Sequence, residues 1–214
     1  KRAPFGRQKV LIEANTHPER AYRLHACAKE PWTVAMIEEL QPGQVLYDVG
    51  ANVGSYTLLA AARGVHVVAL EPHFESFATL CRNLAMNDLL DHVTALQVAA
   101  MSGAGTFWLH MHDLRSGSAG HELNVDPLKR SFHKMLVPAF ALDQLQGLLR
   151  FPFPHAIKID VDGAEPDVLS GAQQLLQVPD LRVLIVELRL DVEEQAAAWL
   201  RERGWEMTAR FDER

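Results

Sequence analysis

"VLYDVGANVGSYTLLAA", residues 45–61, runs from an apolar stretch through Asp48, Gly50, Asn52 and Gly54 straight into helix-forming sequence. A buried strand, a turn of small residues and a helix follow one another within seventeen positions. Glycines at such a turn let backbone approach a ligand where a Cβ would block it, so the turn reads as a binding turn.

The same alternation extends on both sides. "QVLYDV" (44–49) predicts a strand and "SYTLLAAAR" (55–63) a helix stopped at Gly64. "VHVVALE" (65–71) predicts a second strand, and residues 73–87 an amphipathic helix with Phe74, Phe77, Leu80, Cys81 and Leu84 on one face. "VTALQVAAM" (93–101) predicts a third strand. The rhythm then changes: residues 105–114 and 134–142 alternate like strands around a long polar loop, 115–130. It resumes with a strand at 155–161, a helix at 166–176, a strand at 182–188, a helix at 192–204 and a last strand, "WEMTARF", at 205–211. Upstream, residues 1–17 show no strong period, and short helices are expected at 18–28 and 30–40, the second stopped by Pro42-Gly43. Strands alternating with helices imply an α/β fold, a mostly parallel Rossmann-like sheet with helices on both faces. The expected organisation is an N-terminal helical segment, 1–41, and one domain, 42–214, with a variable segment at 103–138.

In such sheets ligands sit beyond the carboxyl ends of the strands. A dinucleotide fingerprint starting at Gly50 needs glycine at 52 and 55, where this chain has Asn52 and Ser55. A nucleoside carrying a small zwitterion suits the turn better: free N–H groups at the helix N-terminus would hold a carboxylate, with Thr57 in reach, and Asp48 would meet an ammonium group or a nearby backbone N–H. Glu71 ends the second strand, where a carboxylate can accept from both ribose hydroxyls. The end of the third strand, Ala99 and Ala100, would lie against the base. S-adenosylmethionine fits these features together.

A second motif is "IKIDVDGAEPDVLSGA", residues 157–172, which puts Lys158, Asp160 and Asp162 at alternate positions. Charges within a buried strand are costly unless paired or at its open end, which places Asp160 and Asp162 beside the proposed cofactor. Asp162 or Glu165 could instead cap the helix that Pro166 begins.

"PGQVLYDVGANVGSYTLLAA", "VVALEPHFESFATLCRNLAMN", "FALDQL", "IKIDVDGAEPDVLSGA" and "LIVEL", in that order, resemble the FkbM family of S-adenosylmethionine-dependent methyltransferases over roughly residues 42–188. The resemblance implies a class I methyltransferase fold, a seven-stranded sheet closed by an antiparallel hairpin, although only one strand follows the last helix here. It also implies O-methylation of a hydroxyl on a sugar or natural product, with acceptor choice in residues 1–41 and 103–138. For that transfer Asp160 is the candidate base or orienting group, supported by Asp162 and Lys158.

Length and composition agree with one soluble domain: 214 residues, 48% hydrophobic and 22% charged. A net charge of −6 argues against a nucleic-acid partner, though Arg2, Arg7 and Lys9 form a basic end. Cys27 and Cys81 are expected as buried free thiols, no run reaches a membrane span, and the N-terminus has neither a signal-peptide core nor a starting Met, suggesting a trimmed chain expected in the cytoplasm. His110, His112, His121 and His133 lack a recognisable ligand spacing, so no metal is expected; with Trp108 they would line an acceptor pocket or cover the sheet edge. Two rival readings are a nicotinamide-dependent oxidoreductase, against which the missing fingerprint counts, and a non-catalytic nucleoside-binding module.

Overall fold

The computed structural model describes residues 2–5, 8–124 and 131–211. Arg7 and residues 125–130 of the long polar loop lie outside the described residues, as do the side chains of Arg2 and Lys9, so the basic end is not described. An antiparallel hairpin, β1 (Arg2–Phe5) and β2 (Gln8–Leu11), begins the segment expected to be helical, at residues that show no strong period in the sequence. Three short helices follow, α1 (His17–Ala21), α2 (Ala26–Lys29) and α3 (Pro31–Glu39). Thr16 caps α1 in a capping box with Glu19, and Pro31 opens α3 where its missing N–H is harmless.

The central sheet holds five parallel strands: β3 (Val45–Val49), β4 (His66–Leu70), β5 (Val93–Leu96), and later β10 (Ala156–Ile159) and β11 (Val183–Val186). Their spatial order is β11-β10-β3-β4-β5. Chain order reverses between β3 and β10, which opens a crevice at the carboxyl ends there. Alternate residues of β3 serve opposite faces. Leu46 packs under α3, α4 (Ser55–Ala61) and α5 (Phe74–Met86), while Val45, Tyr47 and Val49 pack against α6 (Leu142–Leu149), α7 (Glu165–Ser170) and α8 (Glu193–Arg201). Val10, Ile12, Met36 and Ile37 belong to the first of these clusters, so the N-terminal segment and the sheet share one core.

The expected third strand splits. Residues 93–96 stay in the central sheet, whereas β6 (Ala99–Ala100) joins a second sheet with β7 (Gly105–Met111), β8 (Glu122–Asn124) and β9 (His133–Phe140), ordered β6-β9-β7-β8. The helix expected at 166–176 stops at Ser170. A Cβ at Gly171 would lie 2.1 Å from the Met101 carbonyl, and the chain continues into a short 3-10 turn, Leu175–Gln177. The last expected strand does not form. Trp205 donates from Nε1 to the Leu176 carbonyl, Arg210 pairs with Glu193, and Phe211 stacks on Trp32, so rings and ion pairs hold residues 205–211 and no ladder does. The closing antiparallel hairpin implied by the resemblance is therefore not found among the described residues. Both cysteines are free, Cys27 buried and Cys81 half-buried. No described helix is long and apolar enough to cross a membrane.

Candidate active site

A cleft of about 510 Å³ opens at the carboxyl ends of β3, β4 and β10. Gly50, Asn52, Glu71, Ala99, Ala100, Asp160 and Asp162 line it, as the sequence suggested; Asp48, Gly54, Thr57 and Lys158 do not. The volume suits a nucleoside-sized ligand.

The glycine turn works differently from expectation. A Cβ at Gly50, whose φ is +87°, would lie 1.8 Å from the Asp160 carbonyl, so this glycine lets the ends of β3 and β10 interlock rather than making room for a ligand. A Cβ at Gly54 would lie 2.4 Å from Leu80 Cδ1, which makes it a packing position against α5. Nor are the turn's N–H groups free for a carboxylate. Gly50 and Ala51 donate to Leu70 O, Asn52 to Glu71, Val53 to the Asn52 side chain and Gly54 to Ala51 O.

Asp48 is 1% exposed and lies beneath α4, where Thr57 donates its hydroxyl to Oδ2 at 2.5 Å. Thr57 is thus spent on Asp48 and cannot reach a ligand carboxylate. Burial outweighs the neighbouring Lys158 ammonium and raises the Asp48 pKa. Lys158, paired in register with Asp48, is 2% exposed and lies 5.0 Å from the Tyr56 ring centroid. Its Nζ donates to Asp160 Oδ2 at 2.7 Å. Burial opposes both charges, but Lys158 holds the Asp160 carboxyl below the ordinary range, while Asp160, Glu30 and Asp48 keep Lys158 protonated.

Glu71 is 6% exposed, and both carboxylate oxygens accept from backbone N–H groups: Oε2 from Asn52 and Oε1 from His73, each at 2.7 Å. Burial nevertheless pushes its pKa up to about 7, with the two N–H groups pulling the other way.

Above the cleft, residues 113–121 form a strap held by polar contacts from every side. Thr16 Oγ1 donates to Ser116 O, Arg23 Nε to Gly117 O, and Asn52 Nδ2 to Ser118 O. From α5, Ser76 Oγ accepts from Gly117 N, and Thr79 Oγ1 meets the Ser116 hydroxyl. Asp162 Oδ2 accepts from the N–H groups of Gly120 and His121, at 2.7 and 3.2 Å. Asp162 thereby fastens the strap, and Glu165, not Asp162, takes the N–H groups of Val161 and Gly163.

Several lining residues had no place in the sequence reading: Arg23, Lys29 and Glu30 from the N-terminal segment, and Glu187 beyond β11. Carboxylate oxygens of Glu30, Asp160 and Glu187 lie within 4.8 Å of one another. Glu30 and Glu187 have only the strand-end position of Glu187 in "LIVEL" as a clue. His110 bonds Ser131 across the second sheet and, like Trp108, His112 and His133, does not line the cleft; only His121 of that group does.

A family model described as Methyltransferase FkbM domain matches residues 48–207. The hexuronic acid methyltransferase AglP of Haloferax volcanii is 25% identical over 74% of this chain, and the chain spans 61% of that protein's length. Methyltransferase sdnD of Sordaria araneosa is 26% identical, with 80% of this chain and 77% of that protein covered. Among solved structures, a precorrin-6y C5,15-methyltransferase from Geobacter metallireducens superposes with a TM-score of 0.51 at 16% identity, covering 81% of this chain and 71% of the other. That likeness is one of fold, the class I methyltransferase fold.

Proposed function

This chain belongs to the FkbM methyltransferase family, and from that membership we propose that it transfers a methyl group from S-adenosylmethionine to a hydroxyl oxygen of a small sugar or natural-product acceptor. The observation that carries the reading is the division of one cleft between two kinds of carboxylate. Glu71 stands at the end of β4, where ribose hydroxyls are held in sheets of this kind, while Asp160, Glu30 and Glu187 gather beyond β10 and β11. Arg23 and Lys29 on the N-terminal wall are the groups suited to the methionine carboxylate, a role the turn's engaged N–H groups cannot fill.

The bound cofactor supplies an electrophilic methyl on a positive sulfonium. The protein's part is alignment of an acceptor oxygen against it. Asp160 accepts the acceptor's O–H and fixes its direction. Its pairing with Lys158 makes it a weak base, so orientation outweighs proton removal, and the ammonium offsets the carboxylate's stabilisation of the sulfonium ground state. Three carboxylates against one buried ammonium favour uncharged hydroxyl-rich acceptors over uronates or nucleic acids. The hexuronic acid methyltransferase among the relatives supports a small, sugar-like acceptor.

Asp160→Asn tests the assignment. S-adenosylhomocysteine affinity should stay within about tenfold of wild type while methyl transfer to the acceptor falls by roughly 10²-fold, the scale of a lost acid–base or orienting contact. Labelled methyl donor with fractionated metabolites and mass spectrometry identifies the acceptor. Undiminished turnover in the variant would leave Asp160 a structural partner of Lys158.

A further inference from the structure

His121 is 8% exposed, lines the cleft, and stacks on His73 with ring centroids 4.6 Å apart and planes 20° from parallel. Its Nε2 lies 3.0 Å from Ser118 Oγ. Ser118 has a single hydroxyl proton, and the Arg115 carbonyl at 2.7 Å, which can only accept, takes it. Toward His121 the Ser118 oxygen is therefore an acceptor, and Nε2 carries the ring proton. Burial, with His73, His112 and Arg23 nearby, holds the His121 pKa down to about 4 against the pull of Asp113, so the ring is neutral at physiological pH. Nδ1 is left as a bare acceptor, buried, with no partner among the described residues. Buried acceptors are rarely left without a donor.

Adenosine offers two ribose hydroxyls and one exocyclic amino group as donors. Each Glu71 oxygen holds one backbone N–H and keeps lone pairs for the hydroxyls. The amino group remains, and Pro72, Ala99, Leu109 and Leu123 give the base apolar walls beside His121. We propose that His121 Nδ1 accepts a hydrogen bond from the exocyclic amino group of the cofactor's adenine, which makes His121 the residue that reads base identity. This rests on the S-adenosylmethionine reading above. Because the His121 N–H is tied to Asp162, recognition of the base is joined to closure of the strap.

Calorimetry with S-adenosylhomocysteine and S-inosylhomocysteine, which carries an oxygen in place of the amino group, tests it. Wild type should prefer the adenosyl ligand by about tenfold or more, since a site built around a donor rejects the analogue that lacks it. His121→Phe keeps a ring against His73 but removes the acceptor, and its preference should fall to within about twofold. A preference unchanged in His121→Phe overturns the inference while leaving the cofactor assignment standing. Binding of neither ligand by wild type overturns the cofactor assignment and this inference with it. Should the variant fail to fold, imidazole ¹⁵N shifts of wild-type His121 decide: an unprotonated Nδ1 that moves on adding the adenosyl ligand supports the role, and a protonated or unmoved Nδ1 ends it.

Discussion

At the scale of one residue, the proposed ribose contact of Glu71, a carboxylate 6% exposed with its pKa pushed up to about 7, would tie cofactor affinity to pH. The Glu71 pKa is raised on folding, so its contribution to stability is complete below its unfolded value of about 4.5 and is lost as pH rises through about 7. On the proposed contact the ribose hydroxyls bind the ionised form, so affinity should move the opposite way, rising about tenfold between pH 6 and 8 if only that form binds. His73 and His121, both held down to about 4 by burial, lose stability as pH falls from about 6.5 and would mask the stability trend. The measurement is therefore wild type against Glu71→Gln. Calorimetry should show the pH dependence of S-adenosylhomocysteine affinity vanish in the variant, and the difference in denaturation midpoints should shrink wild type's advantage above pH 7. A variant with the same pH slope would remove Glu71 from the ribose. The position of Glu71 on the cleft wall was legible because it follows from its distance from the glycine turn. The roles of Gly50, Thr57 and Asp48 were not, because each depends on a neighbour across the sheet or the helix: the Asp160 carbonyl for Gly50, and Asp48 and Thr57 for one another.

Among the elements, α5 shows why a hydrophobic stripe misleads. The expected face held Phe74 and Cys81, yet Phe74 is exposed and the fully buried positions include Ser76, Thr79 and Asn83. Ser76 and Thr79 serve the strap and Asn83 the Val53 carbonyl, so burial follows the hydrogen-bonding needs of segments far away in sequence. The strap is where a loop-scale test belongs. Asp162, at a φ of +56°, takes two of its N–H groups. Asp162→Ala should release the 118–121 end and speed tryptic cleavage after Arg115 by roughly tenfold, the effect of losing about 1.5 kcal/mol of hydrogen bonding to a charged group. Asp162→Asn keeps an acceptor and tolerates the left-handed backbone, so its cleavage rate should stay near wild type. Equal rates in all three proteins would mean that the strap is fastened elsewhere. The strand expected at 205–211 alternates well, but Met207 and Phe211 are more than half exposed, and periodicity alone cannot say whether a partner edge or a buried face awaits it.

At the scale of the whole molecule, the boundary expected near residue 41 cuts through a continuous core. Ile37, fully buried, belongs with Leu46 and Leu58 on one side of the sheet. Ile37→Ala should lower stability by about 2–5 kcal/mol. Far-UV circular dichroism and tryptophan fluorescence should shift together, as one cooperative unit requires. Two separated transitions would restore an independent N-terminal domain. The mostly parallel sheet and a cleft at its carboxyl edge were legible because strand–helix alternation implies both; the strand order and the side chains of the cleft's N-terminal wall were not, because each depends on which segments meet across the sheet. The interlock of Gly50 with the Asp160 carbonyl has a consequence for how such an enzyme can change. The floor of the cleft, fixed backbone to backbone, leaves little latitude for substitution, whereas the strap is joined to it through the side chains of Asn52 and Asp162. New acceptor preferences are then to be sought by grafting the roof, with the floor kept as a common chassis.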